Sequence, residues 1–376
     1  MGGALTFDER LQAIRGGMAA RGLDLLVAVH DGAHFIETPN PVTVLTGFKS
    51  PGPAICVLGR DRDLTLIVTP PWDAARARAD CTGVHVVGAA DLIEVAHAVL
   101  SRIGKVAVGM VGVDFAAAAI AAPLRDLLPG AIPADDVVFD AAARKTHEEI
   151  AWAREATRIA ERNYEHLLAI ARPGMSEDEL AVELRMHSKS LGAEDNFLLL
   201  CASPHNRAVA PSNGRRIAHG DIILAEITPS VRGQLAQICR TVVVGPAPDL
   251  LRRKYDLVLE AMNAGIDAAR PGARMADVCR AVNAVLEAQG YGEYCHPPHI
   301  RRRGHGLGFA SVRPGDVALD NPTILEPGMV FMIHPNQYLP ETGYLLCGEP
   351  VVITPGGADV LTAERSALGV AGRWKE

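Results

Sequence analysis

One glutamate and two histidines in the second half of the sequence combine acid–base chemistry with apolar or glycine-rich surroundings. Glu226 is the one charged residue in the apolar segment Ile222–Ile227, and His305 lies within Gly304–Gly308. His334 ends a further apolar segment. Burial raises the pKa of a carboxyl group, and a base with a pKa near neutrality is an effective proton acceptor. We therefore predict Glu226, His305 and His334 as catalytic residues, although an exposed strand end and an incidental glycine-rich turn are simpler interpretations.

Polar residues near these three are candidates for substrate binding. In the strand expected over Leu235–Val244, period-two alternation places Gln237 and Cys239 on one face and Arg240 on the other. Gln237 can orient a substrate by hydrogen bonding. Cys239 is either a nucleophile beside a histidine or simply a small buried residue. Glu349, in the last strand, is a further candidate.

Arginines flank the glycine-rich segment and could bind an anionic group. Arg301–Arg303 precede it and Arg313 follows it. Because a guanidinium binds a carboxylate in a bidentate manner, Arg303 and Arg313 are predicted to contact a carboxylate of a small-molecule substrate. A solvated basic loop is the alternative interpretation.

The elements that position these residues form two domains. Short apolar segments alternate with helical segments over about residues 1–135, which is typical of a layered α/β domain. The segment Pro129–Asp140 is predicted to be a connection, and Arg144 opens a long amphipathic helix that runs to about Ala171. The predicted domains are therefore 1–140 and 141–376.

The second domain contains an internal repeat. Ala-Arg-Pro-Gly occurs at 171–174 and again at 269–272, 98 residues later. Each copy follows a long helix and precedes another helix and a strand-rich region. Such a repeat predicts two similar halves, with a site where the halves meet.

Composition excludes several classes of partner. The chain has 376 residues and a formal net charge of -7, so it has no basic surface for nucleic acid or anionic membranes. We expect neither a signal peptide nor a membrane-spanning segment. Seven dispersed cysteines favour free thiols in a reducing compartment, and the predicted location is the cytoplasm.

The second domain resembles the pita-bread superfamily, which includes creatinase, aminopeptidase P, prolidase and methionine aminopeptidase. The resemblance rests on motifs spread over residues 144–362. They are Arg-Lys-Thr at 144–146 with Glu-Glu-Ile at 148–150, Arg-Pro-Gly-Met-Ser-Glu at 172–177, Gly220-Asp221, Arg240-Thr241, Gly-His-Gly-Leu-Gly at 304–308, Glu-Pro-Gly-Met-Val-Phe at 326–331 and Gly-Ala-Asp-Val-Leu-Thr at 357–362. It implies a creatinase-like N-terminal α/β domain before an α+β pita-bread domain built from two pseudo-symmetric halves.

The resemblance also implies positions for metal ligands, and the chain departs from the pattern there. The two aspartates, one histidine and two glutamates of the metallopeptidases correspond to Glu226, Gln237, His305, His334 and Gly348. A pair of ions about 3.5–4 Å apart requires bridging carboxylates, and both bridging positions are uncharged. We therefore predict no metal cofactor, with one zinc or iron ion at Glu226, His305 and His334 as the alternative.

These departures lead to a prediction of a metal-independent, creatinase-like hydrolase that cleaves an amide, amidine or ureido C–N bond. A mononuclear-metal or aminopeptidase-like hydrolase, a lyase acting on a small zwitterion and a non-catalytic peptide-binding protein are the alternatives. The creatinase-type histidine upstream of the Gly-Asp strand has no counterpart in Arg207–Ser212. The resemblance further implies a homodimer, in which the segment Asp31–Lys49 covers the partner's site.

Overall fold

The structure is a computed structural model that describes residues 3–61, 63–309 and 313–372. It divides into two compact units, one containing Leu5–Thr146 and the other built mainly from His147–Gly308 and the chain after Arg313. The predicted boundary at residue 140 falls within helix α6 (Asp135–Ala142). That helix occupies the end of the segment predicted to be a connection.

The N-terminal unit is a mixed six-stranded sheet in the order β4-β3-β2-β1-β5-β6. Alternate side chains of β1 enter two hydrophobic clusters, with Leu26 and Ala28 in one and Leu25 and Val27 in the other, so both sheet faces are buried. The strands are β1 (Leu25–His30), β2 (Ala54–Gly59), β3 (Leu64–Val68), β4 (Val84–Gly88), β5 (Val108–Val111) and β6 (Ile132–Pro133).

Helices cover this sheet. The first begins with a capping box in which Thr6 and Glu9 each accept a hydrogen bond from the other's backbone N–H. With α6, the helices of this unit are α1 (Phe7–Ala20), α2 (Pro41–Thr46), α3 (Ala74–Asp80), α4 (Leu92–Ser101) and α5 (Ala118–Leu127), and a 3₁₀ helix spans Pro71–Asp73.

The second unit contains four long helices and two main sheets. The helices are α7 (His147–Ile170), α8 (Glu177–Ser190), α9 (Asp249–Ala268) and α10 (Met275–Ala288), and a 3₁₀ helix spans Gly292–Cys295. No helix in the described part of the chain is long and apolar enough to cross a membrane.

The two main sheets of this unit belong to its two halves. One has the order β17-β10-β8-β7 with β9 paired to β8, the other has the order β11-β12-β15-β16, and β13 and β14 form a hairpin. The strands are β7 (Asp195–Ser203), β8 (Ile222–Val231), β9 (Gln234–Leu235), β10 (Ile238–Val244), β11 (Gly304–Gly306), β12 (Val330–Ile333), β13 (Gln337–Leu339), β14 (Gly343–Leu345), β15 (Glu349–Thr354), β16 (Gly357–Val360) and β17 (Gly369–Ala371).

The internal repeat is visible in the turns between the paired helices. Gly174 and Gly272 adopt φ values of 87° and 85°, a conformation that favours glycine. Their backbone N–H groups donate to the carbonyl oxygens of Ile217 and Leu325, at 2.8 and 2.9 Å. The same turn therefore joins each helix pair to its own half.

Two strands that the sequence predicts as continuous are interrupted. The segment Leu235–Val244 breaks between β9 and β10, which leaves Gln237 in the gap, and Tyr344–Thr354 breaks before Gly348. At the second gap, Cys239 and Gly348 exchange backbone hydrogen bonds of 3.3 and 3.1 Å. This isolated bridge joins the sheets of the two halves, so the breaks lie where the halves meet.

Candidate functional site

Glu226 lies in the middle of β8, because the strand continues to Val231 rather than ending near residue 227 as predicted. Its backbone pairs with Leu199 on one side and Cys239 on the other. The Cys239 thiol donates to Oε1 of Glu226 at 3.8 Å, and the Asn336 amide nitrogen donates to the same oxygen at 3.2 Å. No ion pair to Glu226 occurs within residues 3–61, 63–309 and 313–372, although part of its surface stays accessible.

The surroundings of Glu226 change its acidity. Burial raises the pKa of this carboxyl from 4.5 to about 7. The hydrogen bonds from Cys239 and Asn336 and the more distant charge of Arg302 lower it, but by less than burial raises it. A carboxylate in this state can accept a proton near neutral pH.

His305 is buried on β11, and both ring nitrogens are engaged. Nδ1 lies 3.0 Å from the Gly306 carbonyl oxygen, which only accepts, so Nδ1 carries a proton. Nε2 lies 3.1 Å from the side-chain amide of Gln237, which also contacts the Thr228 hydroxyl at 3.1 Å. Nε2 of His305 is therefore hydrogen-bonded to Gln237 whichever atom of the amide faces it.

His334 follows β12, and its ring centroid lies 5.2 Å from that of His305. Its Nδ1 is buried and has no hydrogen-bond partner in the part of the chain that the structure describes. Burial, with a smaller effect of His305, lowers the pKa of His334 well below 6.5. The ring is therefore neutral at physiological pH.

Gly348 leaves no room for a side chain. A Cβ atom there would lie 2.6 Å from the Cβ of His334, 2.6 Å from the Cε of Met332 and 3.1 Å from the Cβ of Cys239. These contacts place Met332, His334 and Cys239 around one point. Burial, with the nearby Glu226 charge, raises the pKa of the Cys239 thiol well above 9.0, so Cys239 stays protonated. It acts as a hydrogen-bond donor rather than as a nucleophile.

The Arg303 side chain is used inside the protein rather than for binding a substrate carboxylate. Arg303 is 1% exposed, and its guanidinium donates to Asn283 Oδ1 at 2.7 Å and to Gln337 Oε1 at 3.0 Å. The backbone carbonyl of Arg313 would lie 2.5 Å from a Cβ at Gly306, which explains the glycine there. Arg303 therefore supports the segment after His334, and substrate binding by the Arg313 side chain stays a prediction.

Glu349 is fully buried and faces away from Glu226. Its carboxylate pairs with Arg240 at 3.1 Å and accepts hydrogen bonds of 2.7 Å from the Thr362 hydroxyl and the Ser366 N–H. Arg240 also donates to the Gly348 carbonyl oxygen at 2.7 Å. Both carboxylate oxygens of Glu349 already accept hydrogen bonds from these protein groups, so we do not retain Glu349 as a substrate ligand.

Sequence analysis missed Asn336, which contacts Glu226 directly. Asn336 is one of two non-glycine residues in the described chain with positive φ, at 39°. Asparagine tolerates this conformation better than most residues, and Pro335-Asn336 is a turn dipeptide. That dipeptide immediately after His334 is the signal that could have identified it.

The donor set does not fit the two-metal centre that the resemblance implies. Gln237 is uncharged and bonded to His305, and Gly348 has neither a carboxylate nor the space for one. Across residues 3–61, 63–309 and 313–372, no three His, Cys, Asp or Glu side chains converge to hold a metal ion. No catalytic step is therefore assigned to a metal.

Three comparisons with known proteins place the chain among peptidases. It is 31% identical over 221 residues to "Uncharacterized peptidase YqhT" of Bacillus subtilis (strain 168), over 58% of this chain and 62% of that protein. It is 31% identical over 238 residues to an Xaa-Pro dipeptidase of Pyrococcus furiosus, covering 62% and 67%. The structure of an Xaa-Pro dipeptidase from Bacillus anthracis superposes with a TM-score of 0.82 at 22% identity, covering 97% and 100%.

These findings correct two predictions. The prediction of a metal-independent, creatinase-like hydrolase is wrong, because the relatives are peptidases and Xaa-Pro dipeptidases. The prediction that the enzyme needs no cofactor is also wrong, because the matching family is one of metallopeptidases. The aminopeptidase-like alternative agrees better with the relatives.

The fold prediction is confirmed. The chain superposes over nearly its whole length on the solved dipeptidase structure, and it has the pita-bread fold with an N-terminal α/β domain. The family model described as "Metallopeptidase family M24" matches residues 151–355, more than half of the sequence, and this is a family of hydrolases of peptide C–N bonds. The chain therefore belongs to metallopeptidase family M24.

Proposed function

We propose that the protein is a peptidase that hydrolyses the peptide C–N bond of a small, dipeptide-like substrate at the site around Glu226. The observation that carries this proposal is a partly accessible carboxyl, with a pKa of about 7, at the junction of the two halves. The Xaa-Pro dipeptidases among the relatives support dipeptides with proline in second position as the first substrates to test.

Each side chain has a role that follows from its contacts. Glu226 accepts a proton from the attacking water and returns it to the leaving nitrogen, as its pKa near 7 allows. The His334 ring, whose centroid lies 5.2 Å from that of His305, forms part of the wall of the same site. Gln237 keeps the His305 ring in one orientation. Cys239 and Asn336 hold the carboxyl group of Glu226.

The test is a panel of dipeptides with and without proline in second position. Hydrolysis is followed by chromatography of the released amino acids, with wild-type protein and Glu226→Gln in parallel. We expect the wild type to release amino acids from at least one dipeptide and Glu226→Gln to release far less. Wild-type protein that hydrolyses none of the panel, with or without added divalent metals, would refute the proposal.

Metal analysis of the same purified protein belongs to this test. Family membership points to metal use, whereas Gln237 and Gly348 cannot bridge two ions. We expect at most one ion per chain by native mass spectrometry and elemental analysis. Two ions per chain would show that our interpretation of these two positions is incorrect.

A second candidate function is non-catalytic binding of peptides. Gln237, His334 and Gly348 replace three of the five carboxylate or histidine ligands that the family pattern implies, which favours a site that has lost its chemistry. Calorimetric binding of dipeptides without release of amino acids, in the presence of zinc, manganese or iron(II), would support this candidate against the first.

Two further properties are proposals. We propose a cytoplasmic location, which the seven buried free cysteines support because thiols persist in reducing compartments. We also propose a homodimer, as the family resemblance implies. Sedimentation at micromolar concentration should show a dimer, and a fully active monomer would refute this.

A further inference from the structure

We infer that Asn336 is a positioning residue that holds the carboxyl group of Glu226 in one orientation, so that Oε2 is the oxygen presented to water and substrate. This inference rests on the proposed function and deepens it, because it assigns the base to one oxygen atom. It also gives the second half of the domain a direct role in controlling a base that belongs to the first half.

The Asn336 side chain can adopt only one amide orientation in this structure. Asn336 is 3% exposed, and its Oδ1 accepts the backbone N–H of Cys347 at 3.3 Å. A backbone N–H only donates, so the oxygen of the amide must face Cys347. The Nδ2 group therefore faces Glu226 and donates to Oε1 at 3.2 Å.

The two oxygens of Glu226 have different surroundings. Oε1 receives the amide of Asn336 and the thiol of Cys239. Oε2 receives no hydrogen bond from the described residues. The two donors occupy the lone pairs of Oε1, so Oε2 is the oxygen left to face water and substrate.

The backbone at Asn336 has an uncommon conformation. Its φ of 39° lies in the left-handed region, which few non-glycine residues adopt, although asparagine does so more readily than most. Asn336 follows His334 by two residues and precedes β13. This short segment therefore carries both the neutral histidine and the amide that contacts Glu226, which fixes the two groups relative to each other.

The experiment compares Asn336→Gly with the wild type on the dipeptide found in the panel. Glycine accommodates the φ of 39° without strain, so folding should be retained while both side-chain hydrogen bonds are lost. We expect kcat to fall about 10- to 100-fold, as for a misplaced catalytic group. KM should stay within about threefold, because substrate binding is not the function removed.

A matched control exists in the same unit. Arg232, between β8 and β9, is the other non-glycine residue with positive φ, at 49°, and it does not contact Glu226. Arg232→Gly relieves the same kind of backbone strain and should leave kcat unchanged. A drop in kcat for both variants would indicate a general backbone effect and overturn the inference.

The inference and the proposed function fail in different ways. If Glu226→Gln is inactive and Asn336→Gly keeps the wild-type kcat, the positioning role is refuted and the base assignment stands. If Glu226→Gln keeps its activity, the proposed function is refuted. Crystal structures of wild type and Asn336→Gly give a readout that needs no substrate. We expect the carboxyl plane of Glu226 to rotate in the variant, and an unchanged orientation overturns the inference.

Discussion

Glu226 and Glu349 lie on either side of the junction between the two sheets, in opposite electrostatic surroundings. Glu349 is fully buried, but Arg240, Thr362 and Ser366 supply a cation and two hydrogen bonds. Among the described residues, Glu226 receives a thiol and an amide as donors and no cation, and burial raises its pKa to about 7. The presence or absence of a partner cation thus decides whether a glutamate at this junction supports the fold or can exchange protons.

Strand geometry explains this difference. Cys239 and Arg240 are neighbours on β10, so their side chains point to opposite faces of the sheet. The thiol contacts Glu226 on one face, whereas the guanidinium reaches Glu349 and the Gly348 carbonyl on the other. A single strand therefore supplies an uncharged partner to one carboxylate and a charged partner to the other.

The largest effect is expected when the reactive carboxylate is removed. Glu226→Gln keeps the shape but not the base, so turnover should fall by about two to four orders of magnitude. The matched control is Glu155→Gln, which changes an exposed carboxylate on α7 and should leave turnover unchanged. Steady-state kinetics on the identified dipeptide checks both. Equal losses of turnover in the two variants would mean that the effect is not specific to Glu226.

The structural carboxylate should affect stability instead. Glu349→Gln leaves the buried Arg240 without a counter-charge, so unfolding free energy should drop by about 3–5 kcal/mol. Chemical denaturation measures the loss. Adding Arg240→Met to this variant should recover part of it, because the uncompensated charge is then gone. A loss below about 1 kcal/mol would mean that the ion pair does not stabilise the fold.

The pKa of Glu226 predicts two pH dependences. As a base it must be ionised, so kcat/KM should rise about tenfold per pH unit below 7 and level off above it. Its folded pKa exceeds the ordinary 4.5, so the folded state binds the proton more tightly than the unfolded state. The stability contribution is therefore present below pH 4.5 and is lost as pH rises through 7, by up to about 3 kcal/mol.

Both dependences can be checked with one pair of proteins. The melting temperature of Glu226→Gln relative to wild type should increase between pH 5 and pH 8, because glutamine carries no cost of ionisation. A constant difference over this range, together with a flat kcat/KM profile, would place the pKa of Glu226 far from 7.

The smallest effect is expected when a methyl group is added at Gly348, where the two sheets meet. Gly348→Ala should reduce unfolding free energy by about 1–3 kcal/mol, because its Cβ would approach His334 and Met332 to 2.6 Å. Gly130→Ala is the control, since nothing lies within 4 Å of a Cβ at that position. Similar stabilities for the two variants would show that the junction has room for a side chain.

Sequence patterns predicted the direction of the side chains within one strand better than they predicted where the strands break at the junction of the two halves. Alternation placed the side chains of Cys239 and Arg240 on opposite faces, and they contact Glu226 and Glu349 respectively. The repeat predicted a site where the two halves meet, and Gln237 of the first half contacts His305 of the second. The breaks beside Gln237 and Gly348 were not predicted, because apolar patterns continue through them. The burial of Arg303 was missed for a similar reason, since an arginine triplet is typical of an exposed loop.

The residue types and their spacing in the sequence determined the capping boxes, the Pro-Gly turns and the strand faces. They also determined which groups are available for acid–base catalysis. Only the tertiary structure determined that Oε1 of Glu226 contacts Asn336 and that Glu349 pairs with Arg240. It also determined that Nδ1 of His334 is buried without a hydrogen-bond partner among the described residues. Strand periodicity and turn geometry depend on neighbours a few residues apart. Protonation depends on burial and on charges supplied by segments about a hundred residues away, such as Asn336 for Glu226, and these are set only when the two halves meet.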